Sequence, residues 1–408
     1  MKKNSKAYTA FCGIDISKDT FDYCLLNRDK QTISHNKLPI TREALYHLIG
    51  IVTEDVNQNI IFLMESTGKY HRRVSDLLAC SGFDVCVIQP LLIKNYTEGK
   101  DLRKTKTDKK DAHLIAQYAV DNHDSLLLYN PDSIALKELA RHRIKVVRDL
   151  TSIKNEYKEN MMTYFPEVVA VNENFIYTKT IMNLLKRCCL PEKIARKHVS
   201  TLDNMLKKSG AARLSISGTQ LKEMAKHSVG SKSSTAQFII RDLIDAMLTL
   251  IDRLKCIEEE LENQTKDIYE EELEIITSIN GIGKTTALNF LIEIKDIDLY
   301  DDWKKLCAYA GNDPGIVQSG SSVNKKGNIT KRGNKYLRCT LFLMASSVCR
   351  HNDRYKSYSE KKKLEGKKYK ERMVAVANKL TKLIFALLKK GEFFDENYEL
   401  NRKFKRTG

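Results

Sequence analysis

The sequence predicts an α/β domain followed by helical segments. Three observations predict it: short β-branched runs alternate with helical stretches over residues 1–130, two long runs with apolar residues at helical spacing occupy 131–270, and apolar helices broken by glycine turns fill 271–408. A chain of 408 residues exceeds what one hydrophobic core organises, so these three stretches are read as separate domains, the middle one a helical, coiled-coil-like spacer and assembly region.

In chain order, residues 8–16, 21–27 and 30–38 are rich in β-branched and aromatic residues and read as three strands of a meander. A helix over 41–52 leads to the apolar run 59–64, short enough for a buried strand, then to the turn Glu65-Ser-Thr-Gly-Lys69 and a helix reaching 78. Residues 83–88 supply another strand, and after Pro90 comes a basic stretch, 94–110. A helix over 109–120 follows, with Ala112, Ile115, Ala116 and Ala119 on one face. Residues 135–164 and 234–269 form two long helices that pair, while 166–233 is helical but irregular, broken by Pro166, Pro191 and a serine-rich turn. From 274 to 350 run apolar helices, then a lysine-dense segment, a helix over 373–388 and a basic tail.

A hydrophobic fraction of 42% with 30% charged residues is ordinary for a soluble globular protein, and no run of eighteen uncharged apolar residues exists to span a bilayer. With no leader-like stretch at the start, the expected location is cytoplasmic and nucleoid-associated, with no membrane partner. Ten cysteines without a Cys-x-x-Cys pair are expected to be reduced core thiols and not metal ligands. A net charge of +17 favours a polyanionic partner, because each phosphate neutralised by Lys or Arg releases counterions.

Asp15 closes a half-buried strand, where a carboxylate needs a partner. Glu65 follows the apolar strand of 60–64, so neighbouring strands of one sheet would present both acids at a common edge. Asp108 and Asp111 are three apart at the start of a helix, on one face that can meet that edge. Clustered carboxylates repel unless hard cations hold them, which points to Mg²⁺ or Mn²⁺ as the metal bound by Asp15, Glu65, Asp108 and Asp111. Two such ions about 4 Å apart would stabilise the attacking and leaving oxygens of phosphoryl transfer. Asp108 alone is also readable as a helix N-cap.

The turn Ile279-Asn-Gly-Ile-Gly-Lys-Thr285 resembles a helix-hairpin-helix, in which Gly281 and Gly283 free backbone N–H groups for a DNA phosphate and Lys284 adds a charge; a plain helix connector is the alternative. Gln318-Ser319-Gly lies in what reads as a flexible polar loop, followed by Gly327-Asn-Ile-Thr-Lys-Arg-Gly-Asn334. An unassisted hydroxyl is a poor nucleophile, but Lys325, Lys326, Lys331, Arg332, Lys335 and Arg338 could bind the adjacent phosphates and stabilise developing charge.

Taken together, Gly-Ile-Asp15, Glu65-Ser-Thr-Gly, Lys106-Thr-Asp108-x-x-Asp111-Ala, Gly-Ile-Gly283, Gln-Ser319-Gly and Lys331-Arg-Gly-Asn-x-x-Leu-Arg338 resemble the DEDD-type insertion-sequence transposases, relatives of Piv-type DNA invertases. The resemblance covers residues 10–130 and 270–350 in matching order. It implies an RNase H-like (RuvC-like) N-terminal domain whose four metal-binding acids are Asp15, Glu65, Asp108 and Asp111. It also implies a C-terminal transposase domain whose catalytic serine, here Ser319, forms a covalent link to DNA. Partners implied by the resemblance are donor and target DNA, a structured non-coding guide RNA, and further copies of the chain in a dimer or tetramer. Ser321 and Ser322 stand close enough to Ser319 to take its place, and Asn280 departs from the proline common before the glycine turn. Two other readings stay open: a junction-resolving nuclease that uses the acids to activate water, and a non-catalytic nucleic-acid-binding protein.

Overall fold

The structure, a computed structural model, describes residues 7–54, 59–66, 68–98, 108–172, 174–207, 216–319 and 323–396; at 54, 98, 108, 316–319 and 323–328 it describes the backbone alone. The chain divides into two compact units, one made of Met1–Ala135 and Glu271–Gly408 and the other of Leu136–Glu270.

In the N-terminal part, β1 (Ala10–Ile16), β2 (Thr20–Asn27) and β3 (Thr32–Pro39) form the meander, and α1 (Arg42–Glu54) leads to β4 (Ile60–Glu65). Then come α2 (His71–Cys80), β5 (Asp84–Ile88), α3 (Pro90–Glu98) and α4 (Asp108–Asn122). The sheet order is β3-β2-β1-β4-β5; β1, β4 and β5 are parallel, while β2 runs antiparallel to both its neighbours. Helix α3 forms where the sequence suggested only a basic stretch: Pro90 is accommodated in a first turn, and Ile93 packs under the sheet.

Period-two alternation sorts the strand residues between two layers. Ala10, Cys12, Ile14, Phe62 and Met64 face Leu45 and Leu48 of α1 and Val74 and Leu78 of α2. Phe11, Ile61 and Leu63 face the opposite way, onto Ile93 of α3 and Ile115 and Ala119 of α4. Ala112 and Ala116 of α4 meet Cys24 and Leu26 of β2. Helices on both faces explain why the strands read as near-continuous apolar runs.

The second unit pairs two long helices, α5 (Pro131–Tyr164, which enters it at Leu136) and α11 (Ala236–Thr265). Arg143 near the start of α5 donates through Nε to Glu258 Oε1 near the end of α11 at 2.7 Å, which fixes the helices as antiparallel. The irregular stretch between them folds into α6 (Pro166–Val171), α7 (Lys179–Arg187), α8 (Pro191–Ala195), α9 (Val199–Lys207) and α10 (Gly218–Lys226). These short helices are not mere linkers. Ile181, Leu184, Ile194, Leu202 and Leu221 join Tyr157, Met161, Ile240 and Ile244 in one core.

The C-terminal part contains α12 (Glu270–Thr277), α13 (Lys284–Ile294), α14 (Trp303–Ala310), the hairpin β6 (Pro314–Ser319) and β7 (Val323–Ile329), α15 (Lys335–His351), α16 (Asp353–Leu364) and α17 (Tyr369–Lys390). Helix α15 packs between α13 and α17. The hairpin corrects the sequence reading of a flexible loop: Pro314 pairs with Ile329 and, after a register shift, four successive backbone pairings run from Ile316 with Lys326 to Ser319 with Val323. All ten cysteines are free, but Cys80 and Cys256 are exposed, so the expectation of core thiols fails at these two positions. Among the described residues no helix is long and apolar enough to cross a membrane.

Candidate active site

The site begins with the register of two parallel strands. Ile14 pairs with Met64, so the next residues, Asp15 and Glu65, stand side by side at the C-terminal ends of β1 and β4. Phe11 and Gly13 precede Asp15 on its face, as Ile61 and Leu63 precede Glu65, and that is the face covered by α4.

Gly13 is what lets α4 come down. A Cβ there would lie 2.2 Å from the Ala116 nitrogen and 2.3 Å from the Ala112 oxygen, so the helix backbone rests on the strand without room for a side chain. The ring of His123, just past the end of α4, stacks edge-on against Phe11 at 5.3 Å. With its end at Phe11 and its second turn at Gly13, α4 runs antiparallel to β1, and its first turn lies at the Asp15 end of the strand. Asp111 precedes Ile115 by one turn on the sheet-facing stripe, and Asp108 precedes Ala112 in the same way. Asp15, Glu65 and Asp111 are each half-buried. The side chain of Asp108 lies outside the described residues. Among those described, no group of three or more His, Cys, Asp or Glu side chains is close enough to hold a metal ion.

Sequence reasoning missed Asp22. It pairs directly with Asp15 across β1 and β2, is only 6% exposed, and meets Lys37 Nζ at 3.3 Å. The available signal was a carboxylate two residues before Cys24 on the inward stripe of an apolar strand.

Ser319 is the last residue of β6, with its backbone opposite Val323. Its side chain and those of Lys325 and Lys326 lie outside the described residues, as do Ser321 and Ser322 entirely. The base of the hairpin is well defined: Thr330 Oγ1 donates to Asp313 Oδ1 at 2.6 Å, and Lys331 N donates to Gly311 O at 3.1 Å.

The Lys331-Arg-Gly-Asn334 motif divides into two exposed cations and two architectural residues. Gly333 presses on the end of α14, where a Cβ would lie 2.5 Å from Tyr309 O. Asn334 caps α15, accepting from Tyr336 N and Leu337 N, and its Nδ2 donates to the buried Glu293 carboxylate at 2.6 Å. Lys331 is held at φ 53°, a left-handed backbone that a lysine adopts only under constraint. Lys331, Arg332 and Lys335 are exposed. Arg338 is half-buried and spends one nitrogen on the main-chain oxygen of Ala310 at 2.7 Å.

In the glycine turn, Gly281 (φ 98°) faces protein: a Cβ would lie 3.0 Å from Val348 Cα and 3.1 Å from Ser347 O on α15. Gly283 and Lys284 are exposed at the start of α13, with open space beside Gly283.

Residues 12–166 match a transposase family of the DEDD, IS110 type, and residues 273–360 match the transposase IS116/IS110/IS902 family. The pilin gene-inverting protein of Moraxella bovis is 25% identical over 392 residues, covering 95% of this chain and 98% of that protein. An uncharacterised protein of insertion element IS116 from Streptomyces clavuligerus is 23% identical over 392 residues, covering 94% of this chain and 95% of that protein. The transposase for insertion sequence element IS1111A of Coxiella burnetii is 35% identical over 159 residues, covering 35% of this chain and 43% of that protein. With both family-matched parts in order, and similarity over 95% of the chain to a pilin gene-inverting protein, the chain belongs to the IS110 family of insertion-sequence transposases and is a DNA recombination enzyme.

Proposed function

We propose that this transposase cuts and rejoins DNA strands with two groups: a divalent-metal site on Asp15, Glu65, Asp108 and Asp111, and the Ser319 hydroxyl. The observation that carries the reading is the placement of Asp15 and Glu65 on adjacent strand ends, beneath the first turn of α4 that bears Asp111. An all-oxygen donor set suits Mg²⁺ or Mn²⁺, which when bound would neutralise charge on the phosphate oxygens. The N-terminal domain, residues 1–130, is then RNase H-like, 131–270 a helical assembly region, and 271–408 the serine-bearing transposase domain.

In the reaction the Ser319 hydroxyl gives up its proton and its oxygen bonds to phosphorus. The bond from phosphorus to one DNA oxygen breaks, and that oxygen takes up a proton. A DNA hydroxyl later reverses the exchange and frees the serine. Lys326, Lys331, Arg332 and Lys335 bind neighbouring phosphates, Gly283 and Lys284 hold the backbone at the start of α13, and Arg338 anchors the base of the hairpin. The serine acts in a metal site of another copy within a dimer or tetramer, and a structured non-coding RNA of the element selects donor and target DNA. The net charge of +17 supports a large nucleic-acid contact. The protein works in the cytoplasm on the nucleoid.

The test is to trap covalent protein–DNA adducts with Mg²⁺ present. Wild-type protein is expected to form them, Ser319→Ala none, and Ser321→Ala and Ser322→Ala wild-type amounts. Strand cleavage that persists in Ser319→Ala would instead favour a nuclease that activates water at the acids. Adducts lost only in Ser321→Ala or Ser322→Ala would move the nucleophile to that position.

A further inference from the structure

A cleft of about 1060 Å³, at the upper end of the size of ligand clefts, lies against the base of the serine hairpin: Pro314 and Ile329 line it beside α14, α15, α16 and α17, and it shares Lys331 and Lys335 with the phosphate-binding set proposed above and Arg338 with the hairpin's anchor. Phe342, Val374 and Ala375 contribute an apolar lining, and Lys367, Lys370, Lys379 and Lys382 contribute cations. The carboxylate that lines it, Glu371, is engaged by the Lys368 backbone N–H at 3.4 Å.

Two features of this cleft point to a ligand. First, two of its three aromatic rings are each covered by an ammonium group: Lys379 Nζ lies 4.4 Å from the Tyr358 centroid and Lys382 Nζ 5.7 Å from the Trp303 centroid. Second, two asparagines that line it, Asn312 and Asn378, each keep a side-chain oxygen buried without a hydrogen-bond partner among the described residues. Asn312 is only 2% exposed, and Asn378 Nδ2 donates to its main-chain oxygen at 3.3 Å, so the two amides are neighbours. A buried acceptor left unpaired is costly, and one that lines a cleft is satisfied when a donor arrives.

We propose that this cleft holds an unstacked nucleotide of a DNA strand. Lysines that now lie over the rings move to the flanking phosphates, and the base stacks on Trp303 or Tyr358 in their place. The amide oxygens of Asn312 and Asn378 accept from the base edge. Adenine, cytosine and guanine carry an exocyclic amino donor and thymine does not, so thymine is the least favoured occupant. Duplex DNA keeps its base faces stacked, which excludes it from this mode. The proposal rests on DNA being the substrate of the enzyme and is independent of the serine and the metal.

Trp303 is the chain's only tryptophan, so its fluorescence reports on this cleft alone. The full chain is titrated with short single-stranded oligonucleotides, deoxyadenosine against thymidine homopolymers, at several salt concentrations. Stacking is expected to quench Trp303 strongly with the first and to bind the second about tenfold more weakly. Lys379→Ala with Lys382→Ala should flatten the slope of log affinity against log salt by about 1.4, which is about 0.7 for each charge on a single strand. Asn378→Ala should erase the preference between the two oligonucleotides. Ser319→Ala should quench as wild type does, which separates this site from the cutting reaction. The wild-type titration decides even where a variant fails to fold. DNA that binds without changing Trp303 emission would overturn the proposal, as would heparin quenching equally well. RNA of the same sequence binding tenfold tighter would reassign the cleft to RNA.

Discussion

Gly13 and Ala112 stand so close that the Ala112 carbonyl oxygen occupies the space a side chain on Gly13 would need. This contact brings the first turn of α4 to the strand end that carries Asp15. Gly13→Ala is therefore expected to push α4 outward, destabilising the protein by about 1–3 kcal/mol. DNA cleavage should fall by about a hundredfold, since a displacement of about 1 Å at a reacting centre is enough for that. Urea denaturation and adduct formation measure the two effects, and wild-type values for both would show that the apposition does not set the site.

Asp15→Asn and Glu65→Gln should separate chemistry from binding. If they hold the proposed metal, each is expected to lower strand cleavage by about a thousandfold or more while DNA affinity stays within about twofold, because a metal ligand stabilises the transferring phosphoryl group more than it holds the strand. Filter binding beside cleavage assays reads both. Asp22→Asn tests the neighbouring carboxylate: with Lys37 as its partner it is expected to affect stability more than cleavage.

Asn334→Ala should lower stability by about 1–3 kcal/mol, since it removes the cap of α15 and a donor to the buried Glu293 carboxylate. A fall in the thermal midpoint is the readout. Asn334→Asp, which keeps the cap but sets a second carboxylate against Glu293, should not restore it.

Glu167 in the second unit shows how acid should act. Burial would raise its carboxyl, but the Ser228 hydroxyl at 2.7 Å and the Val229 N–H at 2.9 Å outweigh it and leave the group below its usual range. The folded state thus binds the proton less readily than the unfolded chain. The stabilisation is complete above the ordinary glutamate range near about 4.3 and is lost as pH falls through the lower folded value. Hydrogen exchange at residues 228–231 should rise in that acid window in wild type. In Glu167→Gln it should already be raised at neutral pH and respond less to acid.

The legible parts of the fold are those whose periodicity is local. Short β-branched, aromatic and apolar runs marked all five strands of the first sheet, and the stripe Ala112, Ile115, Ala116 and Ala119 marked α4. The hairpin β6–β7 was not legible, because Gln318-Ser-Gly-Ser-Ser322 and the lysines after it have no alternation, and their pairing is main-chain. Helix α3 was hidden by its shortness, nine residues opened by a proline that reads as a break, and the core of the second unit by the proline breaks that separate its short helices.

The family and the candidate residues came from the sequence alone: four acids, a serine in a Gln-Ser-Gly context and a strong excess of positive charge, in a chain whose two family matches follow in order. Tertiary structure alone decided which glycines serve packing and which face solvent, that Asp22 stands opposite Asp15, and that Trp303, Tyr358, Asn312 and Asn378 line one cleft. The reason is physical. Residue type and short-range periodicity are written along the chain, whereas register between strands, the approach of a helix backbone to a strand, and an unsatisfied amide oxygen arise only when distant segments pack.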